Sequence, residues 1–279
     1  MPKLVQFVYQ KLLGKDLQRV RRESQEFLAS DEAQGPDLRV IVVLLAATAC
    51  LVFQSYIGQP SGAPWVARAL RWVGLASWGD GLLRLLDDPH TRELTRMVYW
   101  AAARAISYVI VPGVCIKLVI GDSLLDYGLR VRGMLGSVWI YLVMAAIMIP
   151  PVLMFSTTES FQETYPFYNL TADEPLWPKF MIAEFCYVLQ FFALEFFFRG
   201  FLVHGLRRRF GVYSVLVMMV PYCMIHFQKP LPEACGAIGA GIVLGLLSLK
   251  GRSIWWGAVL HVLVALTMDF ASLWQRGLI

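Results

Sequence analysis

The chain has 279 residues, of which 57% are hydrophobic and only 16% are charged. A soluble domain carries about 45–50% apolar and about 25% charged residues, so this composition excludes an ordinary soluble protein and places the chain in a bilayer. The formal net charge of +5 is spread along the sequence with no basic arm or tail, which argues against nucleic acid as a partner.

Residues 1–39 set apolar Val5, Phe7, Val8, Leu12 and Leu13 against Lys3, Lys11, Lys15, Arg19, Arg21 and Arg22. The segment is too charged for a cleavable signal peptide. It reads as a cytoplasmic amphipathic segment, lying on anionic lipid or left as a solvated tail. Residues 40–279 then form the transmembrane domain. A span needs roughly 20 apolar residues. Candidates are 40–56, 99–120, 137–155, 180–202, 212–226, 234–249 and 254–273. Residues 62–96 carry Trp65, Trp72 and Trp78 among scattered charges and read as an interfacial helix or one more short span. The expected fold is all-α, a polytopic helix bundle of seven to eight spans.

Basic residues set the orientation. The N-terminus, Arg130 with Arg132, Arg207 to Arg209, and Lys250 with Arg252 occupy alternate loops, which puts the N-terminus in the cytoplasm. The acidic loop with Glu159, Glu163, Asp173 and Glu174 faces away. The five cysteines, Cys50, Cys115, Cys186, Cys223 and Cys235, lie in apolar stretches with no C-x-x-C pair and read as small core residues.

An ionisable side chain deep in a membrane helix costs several kcal/mol and marks a paired or functional site. Glu195, Arg199, His226 and His261 are such residues. The i, i+4 spacing of Glu195 and Arg199 puts them on one helix face, where an ion pair offsets desolvation. At about 1.5 Å per residue, Glu195 lies roughly 18 Å in from Arg207, His261 roughly 14 Å from Arg252, and His226 roughly 21–26 Å from the Arg209 end. Three helices can therefore bring a carboxylate and two imidazoles to one layer. A carboxylate shielded from water is a stronger base, and a neutral imidazole can share in activating water or donate to an oxyanion. The turn from His226 to Glu233 is polar and proline-rich, which hints at a hydrated cavity. Within it Lys229 and Glu233 either support the site or form a helix-start ion pair. Glu184 reads as a residue of the cavity mouth or the interface, and Asp269 as a cap or pairing group.

Leu194-Glu195-Phe196-Phe197-Phe198-Arg199-Gly200 resembles the E-E-x-x-x-R-G motif of the CPBP (CAAX protease and bacteriocin-processing) intramembrane glutamic endopeptidases. Tyr222 to His226 is similar to the family's F-x-x-x-H, and His261 to Ala265 to its H-x-x-x-N. The resemblance covers about residues 135–273. It implies an integral membrane hydrolase with no cofactor and no metal, acting on a peptide or protein substrate at the lipid bilayer, with the cytoplasmic membrane of a bacterium as its place. Carried over, Glu195 and His226 activate water, His261 helps stabilise the oxyanion, and Arg199 partners Glu195. Two positions depart from the pattern: Leu194 stands where the first glutamate is expected, and Ala265 where the asparagine is. Two other readings stay open. One is a zinc metalloprotease using Glu195, His226 and His261 as ligands. The other is a catalytically inactive peptide-binding or immunity-type membrane protein.

Overall fold

Apolar stretches in a bilayer must satisfy their own backbone, and helices do so within the segment. The computed structural model describes residues 14–131, 138–170 and 175–279. Among these the secondary structure is helical, apart from an isolated bridge between Leu129 and Ser253. Outside the described residues lie Lys3, Val5, Phe7, Val8, Lys11, Leu12, Leu13, Arg132, Asp173 and Glu174, together with the side chain of Lys15.

The helices that matter below are α1 (Gly14–Leu28), α2 (Leu38–Tyr56), α3 (Ala63–Trp72), α4 (Ala76–Asp87), α5 (Arg92–Ala105), α6 (Val138–Phe155), α7 (Met181–Glu195), α8 (Ser214–Met224), α9 (Leu231–Gly251) and α10 (Trp255–Gln275). Six segments among the described residues are long and apolar enough to cross a membrane: Leu38–Tyr56, Arg92–Ile120, Val138–Phe155, Leu176–Met224, Leu231–Gly251 and Trp255–Gln275. The chain is an integral membrane protein with six candidate spanning segments among the described residues. One of them, Leu176–Met224, has 49 residues and contains both expected stretches 180–202 and 212–226, with the turn at Gly211 between them. Region 62–96 folds into α3 and α4, each too short to span. Their tryptophans Trp65, Trp72 and Trp78 are exposed, as an interfacial segment requires.

The chain divides into two compact units. The first takes residues up to Ala47, Pro112–Leu142 and Glu195–Val259. Here α1 is amphipathic, and its apolar side chains Leu17, Val20 and Phe27 are buried. Its polar side gathers the basic residues that were read as orientation signals. Arg252 lies 3.2 Å from Glu23, and Arg207 lies 3.9 Å from the same carboxylate. Arg208 pairs with Glu32 and stacks over Phe27, 4.2 Å from the ring centre. At the start of α2, Arg39 holds Asp122 through two hydrogen bonds, one of 3.1 Å, and the Tyr127 hydroxyl donates to the same carboxylate at 2.9 Å.

Gly211, with φ +53°, adopts a conformation that side-chain-bearing residues rarely reach, and the chain turns there into α8. Helix α8 packs on Phe196–His204 and on α9. Lipid gives no hydrophobic drive for helices to associate, so close packing at small residues must supply it. Gly245 on α9 meets this need: a Cβ there would come within 2.7 Å of Val215 on α8.

The second unit takes Thr48–Val111, Val143–Leu194 and Leu260–Ile279. Its core is aromatic, with Trp100, Tyr168, Phe180, Tyr187 and Phe191 buried together. Glu184 is buried beside Asp269, and both Asp269 oxygens accept the Phe167 N–H at 3.2 Å. Asp269 thus ties a loop, and Glu184 is an interior group rather than an interfacial one.

Candidate active site

Helix α7 ends on Glu195, and the following turns, Phe196–His204, are wound as a wider π-helix. Such winding recurs at functional positions because it re-aims side chains relative to the regular helix. Every side chain from Phe196 to His204 is buried. Gly200 closes the Phe-Phe-Phe-Arg-Gly run. A Cβ there would meet the Tyr127 carbonyl oxygen at 2.7 Å, so the glycine admits the backbone of residues 124–127.

Glu195 and Arg199 are each 0% exposed, and Nη1 of Arg199 lies 3.0 Å from Oε1 of Glu195. The expected i, i+4 ion pair is therefore formed, entirely out of solvent. The Arg199 guanidinium also lies over the Tyr222 ring at 3.9 Å. That cation–π contact adds about 2 kcal/mol when desolvated, and the carboxylate offsets the rest of the burial cost. Tyr222 comes from α8 and is held edge-on by Phe198 at 5.2 Å.

His226 follows α8 by two residues. Its ring lies 4.8 Å from that of Tyr222. Its Nδ1 is 2.8 Å from the Tyr222 carbonyl oxygen. A carbonyl only accepts, so Nδ1 carries the proton, which leaves Nε2 as the nitrogen that can act on water. One tyrosine thus contacts both the guanidinium that partners Glu195 and the imidazole. Lys229 and Glu233 face each other at 3.9 Å across the start of α9.

Two further residues meet the carboxylate. Gly257 on α10 leaves room for it: a Cβ there would stand 3.1 Å from Oε2 of Glu195. The Tyr141 phenol, buried on α6, is close enough to act electrostatically on Glu195. Sequence reading did not assign Tyr222, Gly257 or Tyr141 a part in the site. For the first two a signal existed: each stands one helical turn before a candidate histidine, Tyr222 before His226 and Gly257 before His261. Tyr141 carried none, since a tyrosine in an apolar span is ordinary.

His261 belongs to the second unit, where its ring packs 4.5 Å from Phe191. Ala265 sits in the same unit's apolar cluster, so its position supplies packing and no polar group. Leu194 is buried. Among the described residues, no three His, Cys, Asp or Glu side chains are grouped as a metal site.

The fold and site define an all-α integral membrane protein with a charged pair sealed inside its helices. Residues 176–267, about a third of the chain, match the type II CAAX prenyl endopeptidase Rce1-like family. That stretch is a domain of this family, a family of proteases, and it contains all four candidate residues. No curated protein and no solved structure matches the chain.

Proposed function

We propose that the protein is an intramembrane endopeptidase in which Glu195 and His226 activate water for attack on a peptide bond. The observation that carries this reading is the sealed Glu195–Arg199 pair joined through Tyr222 to His226, inside a segment of a protease family. In the proposed cycle the Glu195 carboxylate takes a proton from water as the oxygen attacks the scissile carbonyl. Nε2 of His226 accepts a hydrogen bond from the same water and orients it. The proton then passes to the leaving amine, so that water is added across the bond and nothing else is consumed. Arg199 holds the Glu195 carboxylate in place. His261 donates to the oxyanion, and Lys229 with Glu233 holds the turn that carries His226. The substrates are peptides associated with the membrane or carrying a lipid. The gathering of Arg39, Arg207, Arg208 and Arg252 around the N-terminal helix supports a cytoplasmic N-terminus.

The test is peptide cleavage by full-length protein in proteoliposomes. Glu195→Gln and His226→Ala should each lower kcat at least 100-fold, in the range expected for loss of a general base, with folding followed by thermal unfolding. Wild-type turnover by folded Glu195→Gln protein sinks the assignment. The apolar packing of Ala265 favours, as a second reading, a peptide-binding protein that has lost hydrolysis. Binding without turnover by the unaltered protein would establish it.

A further inference from the structure

One polar side chain of the first unit has no part in the proposed reaction. Tyr141 lies in the apolar segment Val138–Phe155 and is 8% exposed. A buried phenol seeks a hydrogen-bond partner for its hydroxyl, because leaving that group unanswered costs free energy. Its ring packs against Trp256 of α10, with ring centres 6.3 Å apart. The next residue, Gly257, is the one whose missing side chain admits the carboxylate: a Cβ there would stand 3.1 Å from Oε2 of Glu195. The ionisable group that acts on the Tyr141 hydroxyl is Glu195. One phenol from α6 and one glycine from α10 thus stand around the same carboxylate.

A general base must be held as well as buried. Arg199 holds Oε1 of Glu195 at 3.0 Å. The terminal torsion of a glutamate is broad, so one contact does not set the plane of its carboxylate. Gly257 limits that plane from one side but offers no side chain to bind it. A phenol hydroxyl donates, a carboxylate accepts, and a hydrogen bond to an ionised acceptor is among the stronger ones. Such bonds are often long in a resting site and tighten as the reaction complex forms. The competing reading is that Tyr141 only packs on Trp256. Phenylalanine would fill that place as well, without bringing a hydroxyl into the interior.

We infer that Tyr141 is a positioning residue for the proposed hydrolysis: its hydroxyl donates to the Glu195 carboxylate in the reaction complex and, with Arg199, sets the orientation in which that group takes the proton from water. The role in hydrolysis rests on the endopeptidase reading; the contact between Tyr141 and Glu195 does not. Tyr141 acts through Glu195 and need touch neither the peptide nor the water.

The experiment is Tyr141→Phe in the full-length protein, which removes the hydroxyl and keeps the ring on Trp256. In proteoliposomes kcat should fall about 10- to 100-fold, as loss of a hydrogen bond to a charged group implies, with KM and the unfolding temperature nearly unchanged. Added to Glu195→Gln, the same change should lower the residual rate by no more than about twofold, because both substitutions remove one interaction. A residue that only packs would act alike in both backgrounds. A second readout needs no turnover. In protein with isotope-labelled glutamate carboxyls, the NMR signal lost in Glu195→Gln identifies Glu195, and Tyr141→Phe should move that signal. Wild-type kcat in folded Tyr141→Phe overturns the inference, and so does an unmoved Glu195 signal. If the unaltered protein cleaves no peptide, the endopeptidase reading falls, while a moved signal leaves the contact between Tyr141 and Glu195 standing.

Discussion

Arg199 and Arg104 are both guanidiniums in apolar helices, and both stack on aromatic rings. One has a carboxylate 3.0 Å away; the other has none among the described residues. The difference teaches how a membrane protein uses a buried cation. Where the acid is supplied by the same helix, the charge is neutralised at folding, and the pair becomes a fixed part of the interior. Where only rings surround the charge, no carboxylate of the described residues acts on it, and the residue keeps part of its surface exposed.

The sharpest way to break this comparison is to remove one partner from each site. Glu195→Ala leaves Arg199 buried and uncompensated, which should cost about 3–5 kcal/mol in unfolding free energy. Replacing both, as Glu195→Leu with Arg199→Met, should recover most of that stability and none of the cleavage. Arg104→Met orphans no acid, so its stability should change by about 1 kcal/mol or less. Equilibrium unfolding in detergent reads all three. A loss above about 3 kcal/mol in Arg104→Met would mean that an interior acid pairs with it after all, and the contrast would fall.

The next effects are steric. Gly245→Leu forces α9 away from Val215 on α8, the helix that leads to His226. Overpacking of this kind costs about 1–3 kcal/mol and should lower activity in step with stability. Gly257→Ala acts differently. Its new methyl carbon would sit 3.1 Å from Oε2 of Glu195, so the carboxylate must give way by a few tenths of an ångström. Because misplacement of about 1 Å can cost about 100-fold, we expect kcat to fall about 10-fold with the unfolding temperature nearly unchanged. Steady-state kinetics alongside thermal unfolding separates the two glycines: one acts through the bundle, the other through the carboxylate.

Much of this contrast was legible in the sequence, and its limits are physical. Charge in an apolar run is conspicuous, so Glu195 and Arg199 stood out, and their helical spacing gave the ion pair that forms. Arg104 is less legible, because it lies in the apolar span 99–120 and one arginine hardly lowers the mean hydropathy of such a stretch. Hydropathy marks the stretch 212–226 but not its length in space: the α-helix within it runs from Ser214 to Met224 and carries 11 residues. Helix α1 is amphipathic, but amphipathicity does not say which surface takes the apolar face. Here Leu17, Val20 and Phe27 go into the protein. Tyr222 and Gly257 belong to a further class: their spacing one turn before a histidine marks them, but what they touch, Arg199 and Glu195, lies on another segment.

The smallest effect concerns Lys229 and Glu233, where a site role and a plain helix-start pair predict different things. Their charged groups are 3.9 Å apart, and both side chains keep 22% of their surface exposed. A partly exposed i, i+4 pair contributes about 0.3–0.5 kcal/mol, so Glu233→Gln should lower stability by no more than that. If the pair also steadies the turn that holds His226, kcat should fall about two- to threefold beyond the loss of folded protein, a barrier change of well under 1 kcal/mol. The charge-reversed protein, Lys229→Glu with Glu233→Lys, keeps a pair at the same spacing. It should restore kcat if the pair only holds the turn, because either order of charges ties the same residues together. Failure of the reversed pair, with stability regained, would mean that the ammonium of Lys229 is needed where it stands, and the turn would then contribute charge to the site rather than shape alone.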